Sequence, residues 1–197
     1  MPPAIVLGIS LLLAFARRRG AAIALIIVFA GSLELAMGRP LVYQNGPARL
    51  WSGDIDSDQN SQQIADPYTV THVEHGAIFY GLTRLAMGPE RLALRLLVAV
   101  ALESAWEAYE NTDTVIERYR AATISLGYYG DSVINSVADI LACLLGFALA
   151  RWLPTRVTVA WVVLAEIALA VWIRDNLALN VLMLIYPLAF VRHWQMR

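Results

Sequence analysis

The sequence predicts an all-α, multi-pass transmembrane helical bundle. Two observations carry this. The chain is 58% hydrophobic and only 16% charged, with a mean hydropathy of +0.56 over 197 residues. A soluble domain of that size has too little interior to hide so much apolar side chain. Several apolar stretches also approach the ~20 residues that cross a bilayer as a helix.

Six spans are expected, near residues 21–37, 68–87, 92–110, 131–150, 157–173 and 177–191. An apolar stretch at 4–16 precedes them, giving about 20 Å of helix against a hydrocarbon core of about 30 Å. Arg17, Arg18 and Arg19 close it. It reads as a partial span, an uncleaved leader or an extension upstream of the real start, because it lacks the basic beginning and small-residue cleavage site of a signal peptide. Residues 1–20 thus stand apart from one membrane domain, 21–197. Turn-forming residues mark the boundaries: Gly38-Arg39-Pro40, Gly88-Pro89, Gly130 and Leu153-Pro154.

Arginine placement sets the direction. With residues 17–19 inside, the alternation puts Arg84, Arg91, Arg95, Arg151, Arg156, Arg192 and Arg197 at the inner face, ten arginines in all. Five lie outside: Arg39, Arg49, Arg118, Arg120 and Arg174. The bias sets the two long loops, 38–67 and 111–130, at the outer face of the membrane. Loops carry function more often than their scaffold.

Ionisable groups are costly in hydrocarbon and usually mark a site facing the bundle interior. Three predicted helices carry them at one level. His72 and His75 are neighbours on one helical face, about 7 and 11 Å below its outer end. Glu103, Glu107 and Glu110 form one stripe beside Trp106, with Glu107 and Glu103 about 5 and 10 Å in. Asn135 and Asp139 follow Asp131 at about 6 and 12 Å. Interhelical hydrogen bonds in membranes average only about 0.6 kcal/mol. Polar glue explains one such residue per helix, not two histidines and at least four acids in one layer.

Imidazole and carboxylate donors suit a divalent zinc, manganese or iron ion. The metal ligands expected are His72, His75, Glu107 and Asp139. Glu103, Glu107, Asp131 and Asp139 are the candidate catalytic acids and bases. Asn135, Arg118, Arg120 and Arg174 are the candidate substrate-binding groups, the arginines suiting a phosphate or other anion; their bland alternative is pairing with Glu117, Asp113 or Asp175. All fifteen cationic residues are arginine, so no lysine serves as nucleophile or base. The single cysteine, Cys143, leaves no disulfide framework or thiolate metal site. A net charge of -1 points away from nucleic acid. No Gly-x-Ser-x-Gly elbow or phosphate loop occurs.

The reading is a membrane-embedded, metal-dependent hydrolase acting on a lipid or envelope substrate at the outer face. Two alternatives stay open: an accessory or assembly subunit of a larger membrane complex with a structural polar cluster, and a small ion or proton-coupled transporter. The relay is the weaker of these, since the stretch from Ile140 to Ala150 has no ionisable group but Cys143.

The runs Asn60-Ser61-Gln62, His75-Gly76, Glu110-Asn111-Thr112-Asp113, Ile116-Glu117-Arg118-Tyr119-Arg120, Tyr128-Tyr129-Gly130-Asp131-Ser132 and Ile173-Arg174-Asp175-Asn176 together resemble an uncharacterised bacterial inner-membrane protein family, domain of unknown function 2585. The likeness covers roughly residues 21–195. It implies a multi-pass inner-membrane protein and supplies neither activity nor catalytic residues.

Overall fold

A computed structural model describes residues 3–196, with side chains described for Arg18 and from Gly20 onward. Eight α-helices make up the described chain, and no strand occurs among these residues. They are α1 (Pro3–Ala36), α2 (Thr69–Met87), α3 (Leu92–Glu110), α4 (Asp113–Ala122), α5 (Val133–Trp152), α6 (Thr155–Trp172), α7 (Leu177–Ile185) and α8 (Ala189–Gln195).

The expectation of six spans is not supported. Among the described residues two helices, α5 and α6, are long and apolar enough to cross a membrane. Gly20–Ala36 within α1 is a shorter apolar stretch. The reason is visible in the side chains. Helix α2 carries His72, Glu74, His75 and Arg84, and α3 carries Arg95, Glu103, Glu107 and Glu110, so the polar content that makes the site lowers the hydropathy. The expected 177–191 span is two short helices. Tyr186 leaves the helical region at φ -138 and ψ 87, as the residue before Pro187 tends to. At the N-terminus the expected break at residues 17–19 is absent: α1 runs unbroken for 34 residues, because arginine is a good helix former and a charge run alone does not stop a helix.

Helix α2 packs most extensively on α5, and α3 lies against both and against α1. The α2–α5 contact is close because two glycines face each other's backbone. A Cβ on Gly146 would lie 1.8 Å from the Val73 carbonyl oxygen, and one on Gly76 would lie 1.9 Å from that of Cys143. One apolar cluster joins Ala77, Tyr80, Ala99, Phe147 and Ala150, and another joins Ala30, Val100 and Ile140. Arg95 is 1% exposed; its guanidinium donates to the Tyr80 carbonyl at 2.9 Å and lies 4.5 Å from the Tyr80 ring centroid.

Asp175 fixes α7 and α8 to the bundle. Its carboxylate accepts from Tyr68 Oη at 3.2 Å, Gln195 Nε2 at 3.0 Å and the Asn176 amide at 3.0 Å. Burial pushes this carboxyl up from 3.8 to about 6, and the nearby Glu166 adds to the rise. A group with a raised folded pKa contributes stability that is complete below its unfolded value and lost as pH climbs through the folded one. Relative to Asp175→Asn, the wild-type melting temperature should fall between about pH 4 and pH 6, then run parallel to it. A difference independent of pH over that window in thermal melts would contradict this.

Candidate functional site

The N-terminal halves of α2 and α5 and the C-terminal half of α3 bring five predicted residues together. His72 and His75 sit three apart near the start of α2, with ring centroids 5.1 Å apart. Four residues along α3, Glu103 and Glu107 fall on the same stripe and face them. The His72 Nδ1 atom lies 2.6 Å from Glu103 Oε1 and 3.1 Å from Glu107 Oε1, and its Nε2 lies 3.9 Å from Asp139 Oδ2 on α5. His75 Nδ1 reaches Glu103 Oε2 at 3.0 Å. Exposure is 7% for His72, 0% for Glu103, 1% for Glu107 and 4% for Asp139.

One imidazole nitrogen with one hydrogen cannot satisfy two carboxylates. Glu107 Oε1 and Asp139 Oδ1 are accordingly buried with no hydrogen-bond donor. Buried carboxylates in that state need a proton or a cation. Two ligand sets have donor atoms mutually within 4.8 Å: His72, His75 and Glu103, and His72, Glu107 and Asp139. His72 belongs to both.

Asp131 lines the cavity above His72, and Asn135 lies four residues on, in the first turn of α5. Helix α5 begins after Asp131, with Ser132 as N-cap accepting from the Asn135 amide. Asp131 Oδ2 accepts from Asn111 Nδ2 at 2.9 Å and Oδ1 from Tyr128 Oη at 3.0 Å, while the Asp131 amide donates to Asn111 Oδ1 at 2.7 Å. Asn135 is 1% exposed and its Nδ2 has no acceptor.

The three arginines go elsewhere. Arg118 Nε donates to the Leu184 carbonyl at 2.8 Å, at the C-terminal end of α7. Arg120 donates to the Tyr128 carbonyl. Arg174 donates to the Trp194 carbonyl at 3.4 Å, from a left-handed backbone at φ 55. None lines the cavity above His72. No pairing of these arginines with Glu117, Asp113 or Asp175 occurs among the described residues either; Arg39 takes Asp113, at 2.7 Å.

That cavity is lined by His72, His75, Asp139, Asp131, Glu110 and Trp106, and by Asn60 and Ser61 above them. The roof comes from the loop before α2. Gln62 Nε2 donates to the Gly130 carbonyl at 2.7 Å, Ser132 Oγ to the Gln62 carbonyl at 3.0 Å, and the Ser61 amide to Asp66 Oδ2 at 2.8 Å. Ser61 is held at φ 59, a conformation uncommon for a non-glycine residue and concentrated at functional sites. Asp66 also accepts from the Tyr68 amide, and Tyr68 occupies the N-cap position of α2.

Sequence reasoning passed over three groups here. Asn111 is 0% exposed and ties α3 to Asp131. Glu34 is 0% exposed on α1, with both carboxylate oxygens lacking a donor. Glu74, between the two histidines in sequence, points away from them and is likewise buried without a donor. A lone carboxylate within an apolar run was the available signal for both glutamates.

The fold and site define an all-helical protein with a buried histidine–carboxylate cluster under a polar loop. The chain belongs to the family described as "Protein of unknown function (DUF2585)", whose model matches residues 34–197. It is 53% identical over 172 residues to a UPF0314 protein of Paracoccus denitrificans, covering 87% of this chain and 89% of that one. A UPF0314 protein of Sinorhizobium fredii is 51% identical over 159 residues, covering 81% of each chain. One of Sphingopyxis alaskensis is 44% identical over 172 residues, covering 87% and 92%. No solved structure matches the chain.

Proposed function

We propose that this chain is a multi-pass protein of the bacterial inner membrane that holds a divalent metal ion in a pocket near its periplasmic face and hydrolyses a lipid or envelope substrate there. The observation that carries the metal reading is the pair of donorless oxygens, Glu107 Oε1 and Asp139 Oδ1, on the two carboxylates that flank the His72 ring. His72, Glu107 and Asp139 are the first ligand set, with His75 and Glu103 beside them. This nitrogen and oxygen donor set suits zinc, manganese or iron. Such an ion supplies Lewis acidity and lowers the pKa of a bound water. Glu103, held by both histidines, is the carboxylate placed to accept a proton, and Asp131 and Asn135 orient the cavity wall.

The membrane reading is supported by α6. It is apolar enough to cross a bilayer, with Arg156 and Glu166 its only ionisable groups, yet only 6% of it is buried. A soluble core helix is mostly covered, and an N-terminal signal sequence would not sit at residues 155–172; α6 is neither. Val163, Leu164, Ile167 and Val171 are all at least half exposed, a surface that hydrocarbon covers and water does not.

Metal analysis of the purified wild type, supplied with zinc, manganese or iron in a chelator-free detergent solution, tests the proposal. About one equivalent per chain is expected, and a strong chelator should lower the melting temperature, since a ligand at 100 times its Kd stabilises by about 2.7 kcal/mol. A wild type that binds none of these ions and melts identically with chelator would overturn the metalloenzyme reading.

A further inference from the structure

We propose that the groove between α3, α4 and α7 holds the apolar chain of a lipid whose polar head reaches the mouth of the His72 cavity. This rests on the reading of that cavity as a site for an amphiphilic substrate, and names the part that recognises it.

The groove has a volume of about 600 Å3, within the ~300–1,000 Å3 usual for ligand clefts. Its apolar walls are Trp106 and Tyr109 from α3, Val115 from α4, and Val181, Leu184 and Ile185 from α7, with Thr114, Glu117 and Arg118 of α4 completing the lining. Two of these, Trp106 and Val181, also line the His72 cavity, so the apolar groove and the polar pocket are contiguous. One end is therefore greasy and the other carries imidazole and carboxylate groups. That gradient matches a molecule with a hydrocarbon chain and a polar terminus, and matches neither a wholly polar solute nor a uniformly apolar partner helix.

The groove also opens in the right direction. Tyr109 is 57% exposed, Val181 41% and Ile185 76%. Leu182 on the same short helix and Tyr186 just beyond its end are exposed too. A tail could thus slide in laterally from hydrocarbon without crossing water. Trp106 and Tyr109 supply the flat amphipathic rings typical of membrane interfaces. The wall is braced: Arg118 lines the groove with its stem while its guanidinium bonds the Leu184 and Ile185 carbonyls. This gives Arg118 a role in shaping the lipid site rather than in pairing with an anion.

The test is native mass spectrometry of the full chain released from detergent after incubation with dioleoyl phosphatidylglycerol or dioleoyl phosphatidylethanolamine, with metal content measured on the same samples. The wild type should retain one lipid per chain. Val181→Trp, which fills the groove where it meets the cavity, should lower retention about ten-fold. Ile185→Trp, at an exposed position that cannot disturb the core, should lower it by a smaller factor. Dioctanoyl analogues should be retained less than the long-chain lipids. Equal retention by wild type and both variants overturns the proposal, as does a groove occupied by a co-purifying protein. Lipid retention in a chain that binds no metal would sink the metalloenzyme reading and leave the groove assignment standing.

Discussion

Gly146→Ala should abolish accumulation of the folded protein, and Gly76→Ala should do nearly the same. At Gly146 the added methyl carbon would sit 1.8 Å from the Val73 carbonyl oxygen and 2.7 Å from its carbon. At Gly76 it would sit 1.9 Å from the Cys143 oxygen and 2.5 Å from the Phe147 nitrogen. Every one of these contacts is with backbone, so no side chain can rotate away. Relief requires α2 and α5 to separate along their whole contact, which is the most extensive in the molecule. Overpacking against side chains costs about 1–3 kcal/mol; a backbone clash repeated from both helices should exceed that, against a total stability of about 5–15 kcal/mol. The site would open as well, because His72 lies one turn from Gly76 and Asp139 one turn from Cys143 on the apposed faces. Gly81→Ala is the control. It lies in the same helix with nothing within 4 Å of the new carbon, so helix propensity should make it neutral or stabilising by up to about 1 kcal/mol. Size-exclusion profiles and thermal melts in detergent separate the outcomes, and wild-type behaviour of Gly146→Ala would refute the close-contact account.

How much of this was readable in advance depends on the range of the interaction concerned. Helices α2 and α3 were legible because Gly88 and Pro89 separate them, and because His72 with His75, and Glu103 with Glu107, follow helical spacing. Their convergence was legible too, since apolar boundaries alone put the three polar sets at one depth. Helix α4 falls within the segment 111–130 that the sequence predicts as a loop. It is a polar helix of ten residues, invisible to a search for apolar runs, although Asp113 in its first turn was a local start signal. The break at Tyr186 and Pro187 was local as well, but the apolar run continued past it and hid it. Nothing local could reveal the roof, where Gln62 and Ser132 bond across 70 residues. The same holds for Arg118. Its charge and outer position suggested an anion, whereas its partner is a helix end 66 residues later.

Glu107→Gln should have opposite effects on the metal-free and metal-bound forms, and that crossing separates a metal site from structural glue. Without metal, the native carboxylate is 1% exposed and its Oε1 has no donor. Glutamine keeps the volume and removes the burden of an uncompensated buried charge. The metal-free variant should therefore be more stable than the metal-free wild type by about 1–3 kcal/mol, the range for leaving one buried polar group unsatisfied. With metal the sign reverses. The amide is a poorer ligand than a carboxylate, so affinity should drop at least 100-fold, more than the 10–100-fold typical of residues that merely orient a ligand. His72→Ala should lose metal entirely, since His72 belongs to both ligand sets, and should gain no stability, because it strips Glu103 of its shortest contact at 2.6 Å. A structural cluster behaves differently: Glu107→Gln would then shift the melting temperature by the same amount with and without added ion. Melting curves of the three proteins, each with chelator and with excess zinc or manganese, yield the six values needed. The discriminating quantity is the interaction between substitution and metal. If that interaction is zero while wild type and variant are both folded, the carboxylates at His72 hold the helices together and hold nothing else.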